Sequence, residues 1–468
     1  MAAPSHTGQG SAPWVEALEG GFDLLALHRH HPERYPQLLE SAASGTEQGR
    51  FDILFAFPGS TVELRDGKLS TDSLPVHAAE DDRFLDTLDR WFDAESAPDA
   101  GDARLPFTGG WFLYLGYETA AEIEPVLTLP RFAEDFPTAF ATRFPAAVIR
   151  DHARDRVYLV GEAGREDLAP LMRDDIRRMD REAAGGRLPG FHLREDDPRH
   201  HLAAVRRVRD YIHDGHVFQA NLSRAWHGEA DGDLDPIALY ARLRETNPGP
   251  FAALVTHSRG NVISSSPERL VSRRDGWLDT RPIAGTRPRG RSAAEDERLV
   301  QELLGHPKER AEHVMLIDLE RNDLGRVCRP GSVEVSELMV LESYRHVHHI
   351  VSNVRGKARA DVTPGEVLRA VFPGGTITGC PKVRCMEILA ELEQTGRGPY
   401  TGSVGYLNRD GTMDTNILIR TLFAHDRRLT FRAGGGVVAD SDPERELAET
   451  RAKARGLVQA LEGEGAAK

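Results

Sequence analysis

Cysteine is scarce in this 468-residue chain. Cys328, Cys380 and Cys385 are the full count, an odd number with no CxxC pair. That argues against a disulfide framework and a zinc ribbon and points to a reducing compartment. Long apolar runs are missing as well, since nothing approaches the roughly 18 apolar residues of a membrane span. The opening MAAPSHTGQGSAPW lacks the apolar centre of a secretory signal, so a cytoplasmic location is expected. Basic residues are outnumbered, with 59 Lys and Arg against 73 Asp and Glu and a formal net charge of −14. Such a chain is a poor general partner for nucleic acid, although a local positive site for a small anion is still allowed. Phosphate-cradling signatures are absent too. In FPGGTITGCPK, Cys380 and Pro381 separate Gly379 from Lys382, and no GxGxxG opens a βαβ unit.

What is present is ordinary globular composition, 40% hydrophobic and 28% charged. FDILFAFPG (Phe51–Gly59) reads as a short buried strand, and Phe84, Leu85, Leu88, Trp91 and Phe92 recur at helical spacing. AAVIRD and RVYLVG around DHARD predict a hairpin. Ala183–Gly190 is the best linker by its Gly and Pro content, dividing an N-terminal region, 1–190, from a catalytic region, 191–468. Beyond it the spacing predicts a helix near His201–His213, a strand in FQANLSRAW, a helix from Pro307 and a strand pair in SVEVSELMVLESYRHVHHIVSNV. It also predicts a helix after Pro381, at least three strands between Gly402 and Asp440, and a final helix in PERELAETRAKARGLVQALE. Strands cluster without strict βαβ alternation, which favours an α+β class with mostly antiparallel sheets.

Several residues have the chemistry of a site. Glu309 with Glu312, and Glu446 with Glu449, are three apart, so each pair shares a helix face. Two such helices offer the oxygen donors that Mg²⁺ takes together with substrate oxygens, although paired carboxylates are more often solvated. The glycine turns FPGGTITG and AGGGVVAD offer backbone amides to anions, or are simply tight turns. In RHVHHIV, His346 and His348 fall on one strand face and His349 on the other, where an inward imidazole can serve as an acid. His28, His30 and His31 read as an exposed group. Arg420, placed by TNILIRT in an apolar strand, needs an internal carboxylate or a substrate carboxylate as partner.

Taken together, GHVFQANLS, SSSPERL, RPIAGTRPRG, PKERAEHVMLIDLERNDLGRVC, HHIVSNV, FPGGTITGCPKVRCMEILAELE, PYTGSVGY, DTNILIRT and AGGGVVAD through ETRAKAR resemble the chorismate-utilising enzymes, and within them the component I subunits of aminodeoxychorismate and anthranilate synthases. They run in family order from about residue 195 to 460. HPERYPQLLES and PFTGGWFLYLGYE extend the likeness into the N-terminal region.

The resemblance implies two large, mostly antiparallel sheets packed face to face with helices outside. It implies chorismate as substrate, Mg²⁺ as cofactor, and Glu312 and Glu449 as its direct ligands, with Glu309 and Glu446 supporting through water. Arg420, Tyr400 and the amides near Gly435 are implied to bind carboxylates, with Lys453 beside them and Thr378 and Gly379 along the pocket. His349 is implied to assist departure of the C4 hydroxyl, and Glu268 to be the acid/base near the ring. Relatives that add water carry lysine where this chain has Gln219, so amination is expected instead. The PIAGT motif has Ala284 where many aminodeoxychorismate synthases have an attacking lysine, a likeness to anthranilate synthase. FPGGTITG, SSSPERL, DTNILIRT and GGWFLYLGYE look more like aminodeoxychorismate synthase, the expected activity, with anthranilate synthase as the alternative and an inactive amino-acid-binding or partner-binding relative as a third. LLES (Leu38–Ser41) is present, but its partner segment is NPGPF (Asn247–Phe251) and not NPSPYM, which argues against tryptophan feedback. No cysteine sits in a GxCxG setting, so ammonia is expected from a separate glutamine amidotransferase subunit.

Overall fold

The computed structural model describes residues 12–42, 49–97, 105–180, 186–305, 307–343 and 347–462. The opening residues, part of the predicted linker, His346 and the C-terminal tail lie outside the described residues. The elements that carry the argument are, in chain order, β1 (Gln37–Glu40), β2 (Phe51–Ala56), β3 (Gly110–Leu115), β4 (Gln219–Ala230), β5 (Phe251–His257), β6 (Ile283–Pro288), α1 (Pro307–Gly325), β7 (Val347–Lys357), α2 (Lys382–Glu393), β8 (Ser403–Asn408), β9 (Met413–Asn416), β10 (Thr421–His425), β11 (Arg428–Val437) and α3 (Pro443–Glu462).

Among the described residues the strands form two antiparallel sheets, one of 12 strands and one of 11. Alternation along β2 shows how they pack. Ile53 and Phe55 face a core shared with Phe112, Tyr114, Phe140 and Val404 of the other sheet, while Leu54 and Ala56 face helices on the outer side. On β3 of the other sheet, Phe112 and Tyr114 point inward, and Trp111, Leu113 and Leu115 point to an outer layer containing Trp91 and Leu368. Because both faces are covered, these strands read as continuous apolar runs. The expected α+β sandwich with helices outside is the observed fold.

Both sheets cross the boundary near residue 190. β1 pairs with β5, and β3 pairs with β8. Two expectations are corrected. His28 is buried, its Nδ1 2.6 Å from the Tyr35 carbonyl oxygen, because helix Leu24–His30 turns that side into the core. DTNILIRT is also not one strand. β9 belongs to the 11-stranded sheet and β10 to the 12-stranded sheet, and residues 417–420 carry the chain from one to the other.

The buried histidines give the fold an acid limit. His201 is buried, neither ring nitrogen finds a hydrogen-bond partner among the described residues, and burial, then Arg224, lowers its pKa to about 4. Burial also lowers His313 to about 4. The folded pKa values lie below the ordinary 6.5, so this neutral-state stability is complete above pH 6.5 and is lost as pH falls toward 4. We predict that His201→Leu raises the thermal midpoint, and by more at pH 5 than at pH 8. Equal gains at both pH values, read by circular dichroism melts, would reject the assignment.

Candidate active site

A cavity of ≈ 770 Å³ is lined by Gln219, Ala284, Glu309, Glu312, Glu446 and Glu449, among others. A recess of ≈ 180 Å³ is lined by Glu268, His349, Tyr400 and Gly434. Asn221, Thr286, Thr376, Arg420 and Lys453 line both, so the two are parts of one site.

Arg420 stands at the crossing between the sheets with φ +53°, a left-handed backbone conformation. Burial lowers its pKa and Glu268 opposes that shift. Among the described residues no ion pair meets its guanidinium, so a half-buried cation faces the recess. Glu268 lies in a second link between the layers, where the chain passes from Ser266 in the 12-stranded sheet to Arg269 in the 11-stranded one. It is buried there, and its amide donates to Ser266 Oγ at 3.2 Å. Burial raises its carboxyl from 4.5 to about 7, against the pull of Thr376, the Ile283 amide, Arg420 and Lys453.

His349 is held by its strand pairing. It is registered opposite Thr286, past a bulge in β6, where Gly285 has φ +77°. Thr286 Oγ1 lies 2.9 Å from His349 Nδ1. Burial, then Arg420, lowers the imidazole to about 3, so it is neutral at pH 7. His348, on the opposite face, contacts Ser343 and Asp296 and not the site.

The carboxylates come from two helices. α1 brings Glu309 and Glu312 to the cavity, and α3 brings Glu446 and Glu449. Arg287 pairs with Glu309 at 2.8 Å, and Lys453 with Glu449 at 2.7 Å. Lys453 Nζ also donates to the Gly434 carbonyl at 3.0 Å. At Gly435 a Cβ would come within 3.2 Å of an oxygen from each of Glu446 and Glu449, so the bare backbone leaves the space these carboxylates use. The donors are hard oxygens, the kind Mg²⁺ takes. Among the described residues no three such groups already converge as a metal cluster. By donor type, and by the space kept clear at Gly435, the four carboxylates fit such a cation.

Gln219 and Ala284 both face the cavity, and each is less than a tenth exposed. Tyr400 borders the recess, its ring 5.7 Å from the Arg397 guanidinium carbon. Two predicted residues stand behind the wall. Thr378 is fully buried and its hydroxyl donates to the Gly374 carbonyl at 2.9 Å, while Gly379 pairs with Ala220 in the sheet. Thr376 lines the site in their place.

Residues 39–459 match the family of chorismate binding enzymes. The chain is a member of that family. Over 459 residues it is 39% identical to aminodeoxychorismate synthase component 1 of Bacillus subtilis, covering 94% of each chain. It is also 39% identical to anthranilate synthase component 1 of Synechocystis sp., covering 91% of each. The crystal structure of anthranilate synthase component I from Streptococcus pneumoniae is 30% identical, with TM-score 0.77 over 89% of this chain and 93% of that one. The fold extends to MenF of Escherichia coli at TM-score 0.68 and 18% identity.

The chorismate-binding chain also brings LLES and NPGPF together. Leu39, Glu40, Ser41, Pro250 and Phe251 line a separate cavity of ≈ 190 Å³, with Ser41 Oγ donating to the Pro250 carbonyl at 3.2 Å. No described helix is long and apolar enough to cross a membrane. Sequence reasoning missed Asn221 and Thr286. Strand alternation from Gln219 reaches Asn221, whereas Thr286 is placed by a bulge that alternation does not reveal.

Proposed function

We propose that this chorismate-acting enzyme is the component I of an aminodeoxychorismate synthase, joining ammonia to chorismate in the cytoplasm. The observation that carries amination is Gln219, whose amide faces the cavity where a water-adding relative would present a lysine. An amide does not take a proton from water at neutral pH, so the nucleophile must arrive already competent, as ammonia does.

Arg420 and Tyr400, with the backbone amides around Gly435, bind the substrate carboxylates. The half-buried Arg420 guanidinium, which has no ion pair among the described residues and whose charge burial disfavours, gains most from such an anion. Glu312 and Glu449 would hold Mg²⁺, with Glu309 and Glu446 behind them, and the ion would supply Lewis-acid polarisation of a carboxylate. A bound dianion offsets the Arg420 charge that helps hold His349 neutral. His349 then takes up a proton more readily and delivers it to the departing C4 oxygen. Glu268, poised near neutrality, accepts or returns a proton beside the ring. The ammonia is assigned to a glutamine amidotransferase subunit.

Ala284 favours a second reading. It leaves no amine at the position of the family lysine, as in anthranilate synthase, where ammonia attacks directly and pyruvate is lost. One assay separates the two. Chorismate, Mg²⁺ and ammonium are supplied with and without a lyase that converts aminodeoxychorismate to 4-aminobenzoate. We expect 4-aminobenzoate only with the lyase. Anthranilate and pyruvate without it would establish the second reading.

A further inference from the structure

Four polar atoms around one part of the site make no hydrogen bond of good geometry among the described residues: Gln219 Oε1, Asn221 Oδ1, Thr376 Oγ1 and Glu268 Oε1. Gln219, Asn221 and Glu268 are each more than nine-tenths buried. Unused buried acceptors are uncommon, because each forfeits its hydration. Here four occur together on the wall of one cavity system, with Asn221 and Thr376 common to both of its parts.

The backbone explains the grouping. Residues 219 and 221 are two apart on β4, so both side chains leave the same face, while Ala220 and Leu222 pack against α2 on the other. Asn221 Nδ2 donates to the Thr376 carbonyl at 3.2 Å, which fixes the amide's orientation and leaves Oδ1 as the acceptor. Thr376 Oγ1 sits beside the Glu268 carboxyl, which it helps to hold down in pKa, and its oxygen lone pairs are left as acceptors. The Gln219 amide lies over Gly436, where any Cβ would collide with Gln219 Nε2, so the side chain is seated by a glycine.

A patch made of acceptors suits a ligand that is mostly donor. Ammonia has three N–H donors and one lone pair. We propose that Gln219, Asn221, Thr376 and Glu268 form a receiving site for ammonia, which they hold by its N–H groups so that the lone pair faces the substrate ring. This deepens the amination reading and rests on it. In the step so oriented, the nitrogen lone pair forms the C–N bond as a ring C–O bond breaks. The oxygen leaves as water after taking one proton, and the nitrogen gives up one proton, for which Glu268 is the adjacent base. Ammonia and chorismate thus yield the aminated ring and water, with no oxidant or reductant required.

The test uses the full chain with chorismate and ammonium, varying free ammonia at fixed pH. The variants are Thr376→Val, which removes one hydroxyl, and Gln219→Met, which removes the amide at similar length. Each lost acceptor should raise the KM for ammonia by roughly threefold to tenfold, as expected for one neutral hydrogen bond. The KM for chorismate should stay within about twofold, because chorismate is held through other groups. Methylamine, with one N–H replaced, should react poorly with the wild type and gain relative to ammonia in Thr376→Val. An unchanged ammonia KM in both folded variants would overturn the receiving site while leaving amination intact. If the wild type forms no aminated product from ammonium, the amination reading falls and the receiving site with it. Should one variant fail to fold, the other decides the question.

Discussion

Glu268→Gln is expected to lower kcat by roughly 10²–10⁴-fold, the usual range for loss of a positioned acid or base, while making the protein more resistant to heat above pH 7. The two effects share one cause. Burial holds the Glu268 carboxyl at about 7 when its ordinary value is 4.5. The folded state therefore keeps this proton up to a pH at which the unfolded chain has lost it. Stability falls as pH rises from 4.5 toward 7, by at most about 3 kcal/mol for a gap of this size. Glutamine has no proton to lose, so this decline disappears, while the acid/base function goes with it. The wild-type kcat/KM profile should show a limb near pH 7 that the variant lacks. A variant with near-normal kcat, or one with no stability gain at pH 8, would remove Glu268 from the role given to it.

The second large effect concerns the opposite wall. Glu312→Gln should reduce Mg²⁺-supported turnover by about 100-fold or more and shift the Mg²⁺ titration midpoint upward. Even residues that only support a metal ligand typically matter by roughly 10–100-fold. The fold should hardly notice, because Glu312 is half-buried at the cavity and amide replaces carboxylate at equal volume. Asp318→Asn, on the same helix, serves as the control. Asp318 is exposed and pairs with Arg321 one turn further along, away from the cavity, so this variant should keep the wild-type midpoint and turnover. If Glu312→Gln binds Mg²⁺ and turns over with the wild-type midpoint, the ion is held elsewhere.

Much of this was legible in the residues, because the site is built from periodic elements. Three-residue spacing on a helix put both carboxylate pairs on one face, and the structure brings those faces to one cavity. Strand parity separated His349 from His348 correctly, since antiparallel pairing preserves alternation. What failed to show were the breaks in periodicity. Ile417, Leu418 and Ile419 follow one another without a polar break because the apolar clusters on either side of the crossing take them up, so nothing in hydrophobicity marks where the chain leaves one sheet for the other. Thr378 and Thr376 are both plausible in GGTITG, and only the turn's path decides that one hydroxyl bonds back to Gly374 while the other faces the recess. His28 looked exposed beside two other histidines, but a helix separates neighbours by direction, not by polarity.

The passage of residues 417–420 between the sheets also couples the layers mechanically. Over most of their area the two sheets meet through greasy, non-directional contacts such as Phe55 with Phe112, which tolerate small slippage. At Arg420 the same slippage would act on a single charged side chain at the end of a short tether. If Arg420 binds the substrate as proposed, substrate grip is tied to the alignment of the whole sandwich, and a bound carboxylate would act as a rivet fastening one sheet against the other.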